Sequence, residues 1–320
     1  MNKSWRATIL LMLIVIIVIF VFFMLSGVSA DTEGVKYLIG MSQCNLGEPW
    51  RIKMNKELTA AAAQHPDTKL IFTDAAQSNS KQIEDVKKLM QLGIDLLIIS
   101  PNESEPLTPI ISEVFGKIPV IVLDRKVNSD EYTLFIGADN RVIGASAGEY
   151  VKELLRDTGG NVVEIMGLPG SMPTMERSEG FRQSIASDPN IQIVGKFTAN
   201  WLRDSAEDGF SRFLATHKQL KIDVVYAHND PMALGAYKAA VSMDRESEMV
   251  FVGIDGMDGE EGGIDLVKDG IINITFIYPT GGQEAIDYAM RILNGETFED
   301  KQIILKNNRI DKSNYHLYLP

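Results

Sequence analysis

The chain has few residues of the types that form cross-links or metal centres. Its 320 residues include one cysteine and four histidines. One cysteine excludes an internal disulfide, and four dispersed histidines argue against a zinc site. Basic residues are also scarce, with 31 Lys and Arg against 43 Asp and Glu and a formal net charge of −12. Because phosphate backbones require a basic face, we expect no nucleic-acid partner.

Enzyme signatures are missing or misplaced. The chain has no phosphate-binding loop ending in Gly-Lys-Ser/Thr and no His-Glu-x-x-His pair. Residues 144–148 match Gly-x-Ser-x-Gly, but a nucleophile elbow requires a strand directly before the serine. Ser146 lies instead within a predicted helix, where small residues favour close packing of the helix on a sheet. We therefore predict a protein that is not an enzyme and has no cofactor.

A long apolar run lies near the N-terminus. Lys3 and Arg6 precede residues 9–25, which are all large and apolar. This length meets the lower limit for a membrane-spanning helix and exceeds the apolar core of an ordinary signal peptide. The basic residues predict a cytoplasmic N-terminus, so the rest of the chain is expected on the extracytoplasmic face of a bacterial membrane, anchored by residues 9–25. Cleavage after residue 30 stays open, because residues 28–30 resemble a signal-peptidase site.

The remainder alternates short β-branched runs with amphipathic stretches. The predicted strands are 36–41, 69–73, 96–100, 120–124, 133–137, 161–166, 192–198, 224–227, 250–254 and 274–277. The predicted helices are 49–65, 77–92, 142–155, 175–186, 206–216, 232–243 and 282–294. This alternation predicts an α/β fold with parallel sheets, and so many strands favour two lobes. We assign residues 1–30 to the anchor or signal, 36–138 with 279–306 to the first lobe, and 139–278 with 307–320 to the second.

Polar residues follow four of these strands, where open parallel sheets bind their ligands. The positions are Glu48 to Arg51 after the first strand, Asp124-Arg125, His228-Asn229-Asp230 and Asp255-Gly256. Carboxylates accept hydrogen bonds from hydroxyl groups, Arg and Asn donate them, and an indole such as that of Trp50 covers the apolar face of a ring. The set therefore indicates a site for a neutral polyol.

Each of these residues also has a purely structural interpretation, which the sequence leaves open. Asp230 before Pro231 is typical of a helix cap. The corresponding interpretations elsewhere are a surface ion pair for Asp124 and Arg125, a helix-start staple for Trp50, loop packing for Trp201, a solvated Arg177, and a packed or ligand-contacting His228.

The sequence resembles the extracytoplasmic type I sugar-binding proteins of the ribose, galactose and xylose group. The related sugar-sensing core of lac-repressor-type regulators is similar too. The resemblance runs from about residue 36 to residue 307 and is carried by four segments. They are Val120-Ile-Val-Leu-Asp-Arg125, Met175-Glu-Arg-Ser-Glu-Gly-Phe181, Ala227-His-Asn-Asp-Pro-Met-Ala-Leu-Gly235 and Val252-Gly-Ile-Asp-Gly256. It implies two Rossmann-like lobes, joined by three hinge crossings, that close over one sugar.

The resemblance also implies roles for single residues. Asp124, Arg125, Arg177, Asn229 and Asp255 would bind hydroxyls from the two lobes. Trp50 and Trp201 fall where aromatic rings stack on the sugar, and Glu48 falls at a polar position of the first loop. Arg51 and Tyr278 depart from the ribose type, which carries an aromatic residue at the first position and Gln or Lys at the second. We therefore expect a monosaccharide, with a xylose-like pentose favoured.

Two partners are compatible with such a receptor. One is a membrane histidine kinase of a two-component system, and the other is an ABC permease that imports the sugar. The long apolar run and the lack of a lipidated cysteine after it favour the sensor. A core of a transcription regulator is disfavoured, because the chain begins with an apolar run where a helix-turn-helix headpiece would be needed.

Overall fold

Strands and helices alternate through residues 34–319, which the computed structural model describes. The first lobe contains five consecutive strands with helices between them. They are β1 (Tyr37–Gln43), α1 (Pro49–Ala62), β2 (Thr68–Asp74), α2 (Asn79–Gln91), β3 (Leu96–Ile99), α3 (Ser104–Phe115), β4 (Val120–Leu123) and β5 (Leu134–Ala138). Strands β3 and β4 are buried along their whole length and consist of Leu, Ile and Val, as expected for a parallel sheet covered on both faces.

The second lobe repeats the pattern. Its elements are α4 (Asn140–Leu155), β6 (Gly160–Met166), α5 (Met172–Ile185), β7 (Ile191–Thr198), α6 (Arg203–Thr216), β8 (Val224–Ala227), α7 (Asp230–Val241), β9 (Val250–Val252), α8 (Gly263–Asp269) and β10 (Ile274–Phe276). The chain then continues through α9 (Gly282–Leu293), β11 (Gln302–Leu305) and β12 (Arg309–Asp311), with 3-10 turns at Glu246–Glu248 and Tyr315–Leu317.

Two six-stranded sheets result. The first has the order β11-β5-β4-β3-β1-β2 and the second β12-β10-β9-β8-β6-β7. Neighbouring strands of these sheets run parallel, and β12 differs in running antiparallel to β10. Because β11 lies in the first sheet and β12 in the second, the chain passes between the sheets three times. The predicted fold class, two α/β lobes with parallel sheets, is confirmed, whereas the exact limits assigned to the lobes stay a prediction.

Four elements of the structure go beyond the sequence prediction. Helix α3 contains Pro106 and Pro109, which are typical helix breakers, and α8 spans only seven residues between glycines. Strands β11 and β12 lie at sheet edges and expose part of their side chains, so they lack the continuous apolar run of a buried strand. Each element is short or carries a locally contradictory signal, so the local pattern does not predict it.

The glycines of the Gly-x-Ser-x-Gly segment pack α4 against α5. A Cβ added to Gly144 would lie 2.2 Å from the carbonyl oxygen of Arg177, and one on Gly148 would lie 2.6 Å from the Cβ of Ser184. The prediction that these small residues pack the helix on a sheet is therefore wrong, since the partner is a second helix. Ser146 itself is bonded to the carbonyl of Val142 within the helix. This close approach fixes the part of α5 that carries Arg177.

Among residues 34–319, no helix is both long and apolar enough to cross a bilayer. The anchor or signal segment predicted within residues 1–30 lies outside the described residues.

Candidate functional site

A small cavity of about 20 Å³ lies between the two sheets and is lined by residues from both lobes. Its walls are Glu48, Trp50, Arg51, Asp124, Arg125, Pro173, Arg177, Trp201, Asn229, Asp255 and Tyr278. All ten residues predicted from the sequence thus converge on one space, together with Pro173, which starts α5 beside Arg177 and carried no polar signal.

Asp124 forms the polar centre of the first lobe's wall. It directly follows β4, with φ at +70°, a strained value for a residue other than glycine that is typical of functional sites. One carboxylate oxygen accepts a hydrogen bond from the Tyr278 hydroxyl at 2.6 Å, and the other from Arg51 at 2.6 Å. Burial opposes ionisation, but Arg51 and Arg125 hold the pKa of Asp124 below its ordinary value. The carboxylate is therefore charged and fixed in orientation.

Two of the arginines lie against a tryptophan. Arg125 donates to the carbonyl of Asn102 at 2.9 Å, and its guanidinium carbon lies 5.6 Å from the ring centre of Trp201. Arg177 lies 5.4 Å from the same ring and donates to Asn140 at 2.8 Å. Both arginines are 2% exposed, so the interpretations as a surface ion pair and as a solvated Arg177 are wrong. Among the residues that the structure describes, the Trp201 indole N–H and the Arg125 Nε are buried without a hydrogen-bond partner.

Trp50 and Tyr278 form the aromatic end of the cavity. The indole N–H of Trp50 donates to the Tyr278 carbonyl at 2.7 Å, and the two ring centres are 5.1 Å apart. Trp50 also belongs to the core cluster of its lobe, so its packing role and its place in the cavity wall coexist. The next residue, Arg51, donates a hydrogen bond from its Nη1 to the Ser100 hydroxyl at 2.8 Å.

Two carboxyl groups at the opposite end have free hydrogen-bonding capacity. One oxygen of Glu48 is buried without a partner, and Asp255 forms no side-chain hydrogen bond to any described residue. Burial raises the pKa of Glu48 although Arg51 opposes the shift. Burial, and then the neighbouring Asp230, raise the pKa of Asp255. Such groups gain most from a ligand hydroxyl, because an unpaired buried carboxyl is costly.

The loop after β8 corrects one prediction. Asn229, not Asp230, caps α7, since its side-chain oxygen accepts from the backbone N–H of Met232 at 3.0 Å. Its amide group donates to the carbonyl of Trp201 at 3.0 Å and so holds the tryptophan loop. Asp230 instead accepts from Thr275 at 2.7 Å and from the backbone of Gly256 at 2.8 Å, and burial raises its pKa to about 6. Asp230 thus supports the loop that carries Asp255.

A buried pair behind the cavity escaped the sequence analysis. His228 Nε2 lies 3.1 Å from Glu164 of β6, and both side chains are fully buried. Burial lowers the pKa of His228 even though Glu164 opposes the shift, so the imidazole is neutral. His228 is not among the lining residues of the cavity, which favours its packing interpretation. Glu164 lies within a strand, where no strand-end signal pointed to it.

A wider groove of about 380 Å³ adjoins the cavity. The two spaces share Glu48, Trp201 and Asp255, so the carboxyl end of the cavity faces the groove. Tyr278 lines the cavity but not this groove. Trp50 and Tyr278 line a second groove of about 340 Å³ together with Asp255, so the cavity lies between two open grooves.

Comparison with known proteins decides the family. The family model described as periplasmic binding protein domain matches residues 39–297. The chain belongs to the periplasmic binding protein family. Like its relatives, this periplasmic binding protein is an extracytoplasmic receptor for a sugar.

Individual relatives agree with this assignment. The ribose import binding protein RbsB of Bacillus subtilis is 29% identical over 264 residues, which cover 82% of this chain and 83% of the relative. RbsB of Escherichia coli is 28% identical and covers 87% and 92%. A solved fructose-binding periplasmic domain of a hybrid two-component system is 44% identical, with a TM-score of 0.84 and coverage of 88% and 93%. These relatives are binding proteins, in keeping with the prediction of a protein that is not an enzyme.

Proposed function

We propose that this periplasmic binding protein is the extracytoplasmic sensor domain for a monosaccharide in its five-membered ring form, with D-fructose foremost, and that it reports the sugar to a histidine kinase. The observation that carries the proposal is the convergence of Glu48, Asp124, Arg125, Arg177 and Asp255 on one buried cavity. Charged groups held in fixed positions can hydrogen-bond the hydroxyl groups of a neutral sugar, and indole rings can cover the apolar face of its ring. The ten lining residues predicted from the sequence are proposed as its contacts.

The choice of fructose rests on likeness to solved proteins. At 44% identity, the fructose-binding domain supports a ketohexose over the xylose-like pentose that the first loop favoured. An arabinose-binding protein of Shewanella sp. ANA-3, 26% identical with a TM-score of 0.82, was solved with L-arabinofuranose. A Mycobacterium smegmatis protein, 28% identical with a TM-score of 0.82, was solved with β-D-fucofuranose. These two furanose ligands support a five-membered ring here, whereas two other proteins, each 26% identical, were solved with the six-membered ring of myo-inositol.

Signalling is preferred over import for two reasons. The 44% identical relative is part of a hybrid two-component system. The apolar run at residues 9–25 suits a receptor that stays at the membrane, and no cysteine directly follows that run to carry a lipid. Import through an ABC permease is the second candidate, and it is favoured by the likeness to RbsB. In both, sugar contacts with the two lobes stabilise the closed form, so ligand binding shifts a hinge equilibrium.

Isothermal titration calorimetry on the full chain in detergent tests the binding proposal. The panel contains D-fructose, L-arabinose, D-ribose and D-xylose. We expect D-fructose to bind most tightly, with micromolar affinity corresponding to about −8 kcal/mol. Tighter binding of D-xylose would restore the pentose prediction, and no binding of D-fructose would reject the proposed fructose receptor.

A matched pair of variants ties the binding to the cavity. Arg125→Gln removes a buried guanidinium from the wall, while Arg212→Gln removes an exposed one from α6. Loss of a charged hydrogen-bond donor costs about 1.5–3 kcal/mol, so the first variant should bind at least about tenfold more weakly. The control should bind as the wild type does. Equal affinities of the two variants would remove Arg125 from the site.

Gene deletion separates the two partners. If the protein is a sensor, its loss abolishes sugar-dependent transcription while the initial rate of labelled-sugar uptake is unchanged. If it serves an ABC permease, uptake falls first and the transcriptional response follows only through the lower internal sugar. The second pattern would overturn the signalling proposal and leave the sugar-binding assignment intact.

A further inference from the structure

A buried carboxylate lies in the middle of strand β6. Glu164 stands between Val163 and Ile165, and its side chain is fully buried. One of its oxygens lies 3.8 Å from the ammonium group of Lys196, whose side chain is 36% exposed. Replacing a buried charged group and its partner by apolar residues of similar volume is often neutral or stabilising. Stability alone therefore does not account for a carboxylate at this position.

The partner of this carboxylate is His228, the residue directly after β8. Because an ionised carboxylate can only accept hydrogen bonds, the neutral imidazole donates from Nε2 to Glu164 over 3.1 Å. Burial opposes ionisation of Glu164, but the bond from His228 holds its pKa below the ordinary value. The backbone N–H of His228 also donates to the Ile165 carbonyl at 3.0 Å. His228 is thus attached to β6 through both its side chain and its backbone.

The loop that begins at His228 contacts the wall of the cavity. The His228 carbonyl accepts a hydrogen bond from Nη1 of Arg177, whose Nε donates to Asn140. The next residue in the loop, Asn229, donates to the Trp201 carbonyl at 3.0 Å. Arg177 in turn lies against the Trp201 ring. The positions of both wall residues therefore depend on where this loop is held.

We propose that Glu164 and His228 are positioning residues for the ligand site. They hold the loop after β8 in place and, through it, Arg177 and Trp201. Neither Glu164 nor His228 lines the cavity or either of the two grooves, so they act from behind the wall. A hydrogen bond between two fully buried side chains is stronger than one in water, so it constrains the loop well. This inference rests on the proposed function, because it assigns the pair a role in sugar binding.

Replacing both partners separates positioning from stability. The double variant Glu164→Leu/His228→Leu leaves no unpaired polar group of the pair, so it should melt at or above the temperature of the wild type. Its affinity for D-fructose should nevertheless fall about fivefold, because the loop loses the bond that orients it. Calorimetry on the full chain in detergent measures this affinity. A folded double variant that binds D-fructose as tightly as the wild type would contradict the inference.

Two single variants of similar shape form a matched pair. Glu164→Gln retains an oxygen that accepts from His228, whereas Glu164→Met has nearly the same length and lacks this acceptor. The Gln variant should bind D-fructose within about twofold of the wild type, and the Met variant about fivefold more weakly. Equal affinities of the two variants would remove the hydrogen bond from the explanation. This comparison also decides the matter if the double variant does not fold.

The position of Arg177 can also be measured without a ligand. Its Nε–H donates within the protein to Asn140, so its exchange with water is slow and can be followed by heteronuclear NMR. The signal is identified by its absence in Arg177→Lys. In the double variant and in Glu164→Met this proton should exchange about tenfold faster, and in Glu164→Gln at nearly the wild-type rate. An unchanged rate in all three variants would overturn the role of the pair in holding Arg177.

These outcomes distinguish the inference from the proposed function. A wild type that does not bind D-fructose contradicts the proposed function, and the exchange rates still decide whether the pair positions Arg177. A wild type and variants that all bind D-fructose equally contradict the role of the pair and leave the sugar receptor standing.

Discussion

Replacing Asp124 with Asn tests the polar centre of the site most directly. The change keeps the shape of the side chain and removes its charge. In the wild type this carboxylate lies 2.6 Å from Arg51 and 3.7 Å from Arg125, and all three side chains are at most 3% exposed. The variant therefore leaves two buried guanidinium groups without a carboxylate partner.

The expected loss of stability follows from this burial. Removing one partner of a buried ion pair costs about 3–5 kcal/mol, because the charge left behind is no longer compensated. The Asn oxygen can still accept one hydrogen bond, so we expect a loss of about 3 kcal/mol in the free energy of unfolding. Sugar affinity should fall at least about tenfold, or 1.4 kcal/mol, since the arginines that face the ligand lose their fixed orientation.

Urea unfolding followed by circular dichroism measures the effect, with Asp258→Asn as the control. Asp258 pairs with Lys53 at 3.3 Å, but the two side chains are 58% and 40% exposed, so the control should lose at most about 1 kcal/mol. Because the pKa of Asp124 is lowered on folding, its contribution is present above the unfolded pKa near 3.9 and is lost only as the pH falls through the folded value. The deficit should thus be constant from about pH 5 to pH 8. A deficit no larger than that of the control would refute the reasoning.

Two further variants probe burial and packing. Asp255→Asn removes a carboxyl group whose pKa is raised by burial and by Asp230. Because folding raises this pKa, the carboxyl group destabilises the fold as the pH rises from its pKa in the unfolded chain, near 3.9, to its higher pKa in the folded protein. The variant should melt about 2 °C or more above the wild type at pH 7, with a smaller gap at pH 4, yet bind sugar more weakly; an equal gap at both pH values would contradict this cause. Gly144→Ala forces a Cβ to within 2.2 Å of the Arg177 carbonyl and should lower stability in urea by about 1–3 kcal/mol. Gly116→Ala, whose Cβ meets nothing closer than 3.6 Å, should change it by less than about 0.5 kcal/mol, and similar losses in both would contradict the packing argument.

The fold class and the convergence of these residues on one cavity could be predicted because each depends on a simple rule. Buried parallel strands are continuous apolar runs, and ligands bind beyond their carboxyl ends. The polar residues after β4, β8 and β9 could therefore be identified from the sequence as candidate ligand contacts. The short edge strands β11 and β12 lacked such runs, and the prolines of α3 contradicted its helical pattern, so local signals failed where tertiary packing decides the structure.

Within the site, the sequence indicated positions better than partners. It predicted a helix cap at Asp230 instead of Asn229, because either side chain can cap a helix. Only the hydrogen bond from Thr275 to Asp230 distinguishes the two residues. It also gave no sign of the His228–Glu164 pair, which joins the residue directly after β8 to β6 through side chains that are far apart in the chain. Such pairings depend on the register of neighbouring strands, and a single sequence does not specify that register.

Tyr278 belongs to the segment on which the chain returns from the second sheet to the first, and its side chain reaches Asp124 in one lobe and Asn140 and Arg177 in the other. The Tyr278 side chain therefore lines the cavity and also connects the two lobes. A substitution at this position therefore alters a wall of the cavity and a connection between the two lobes at the same time.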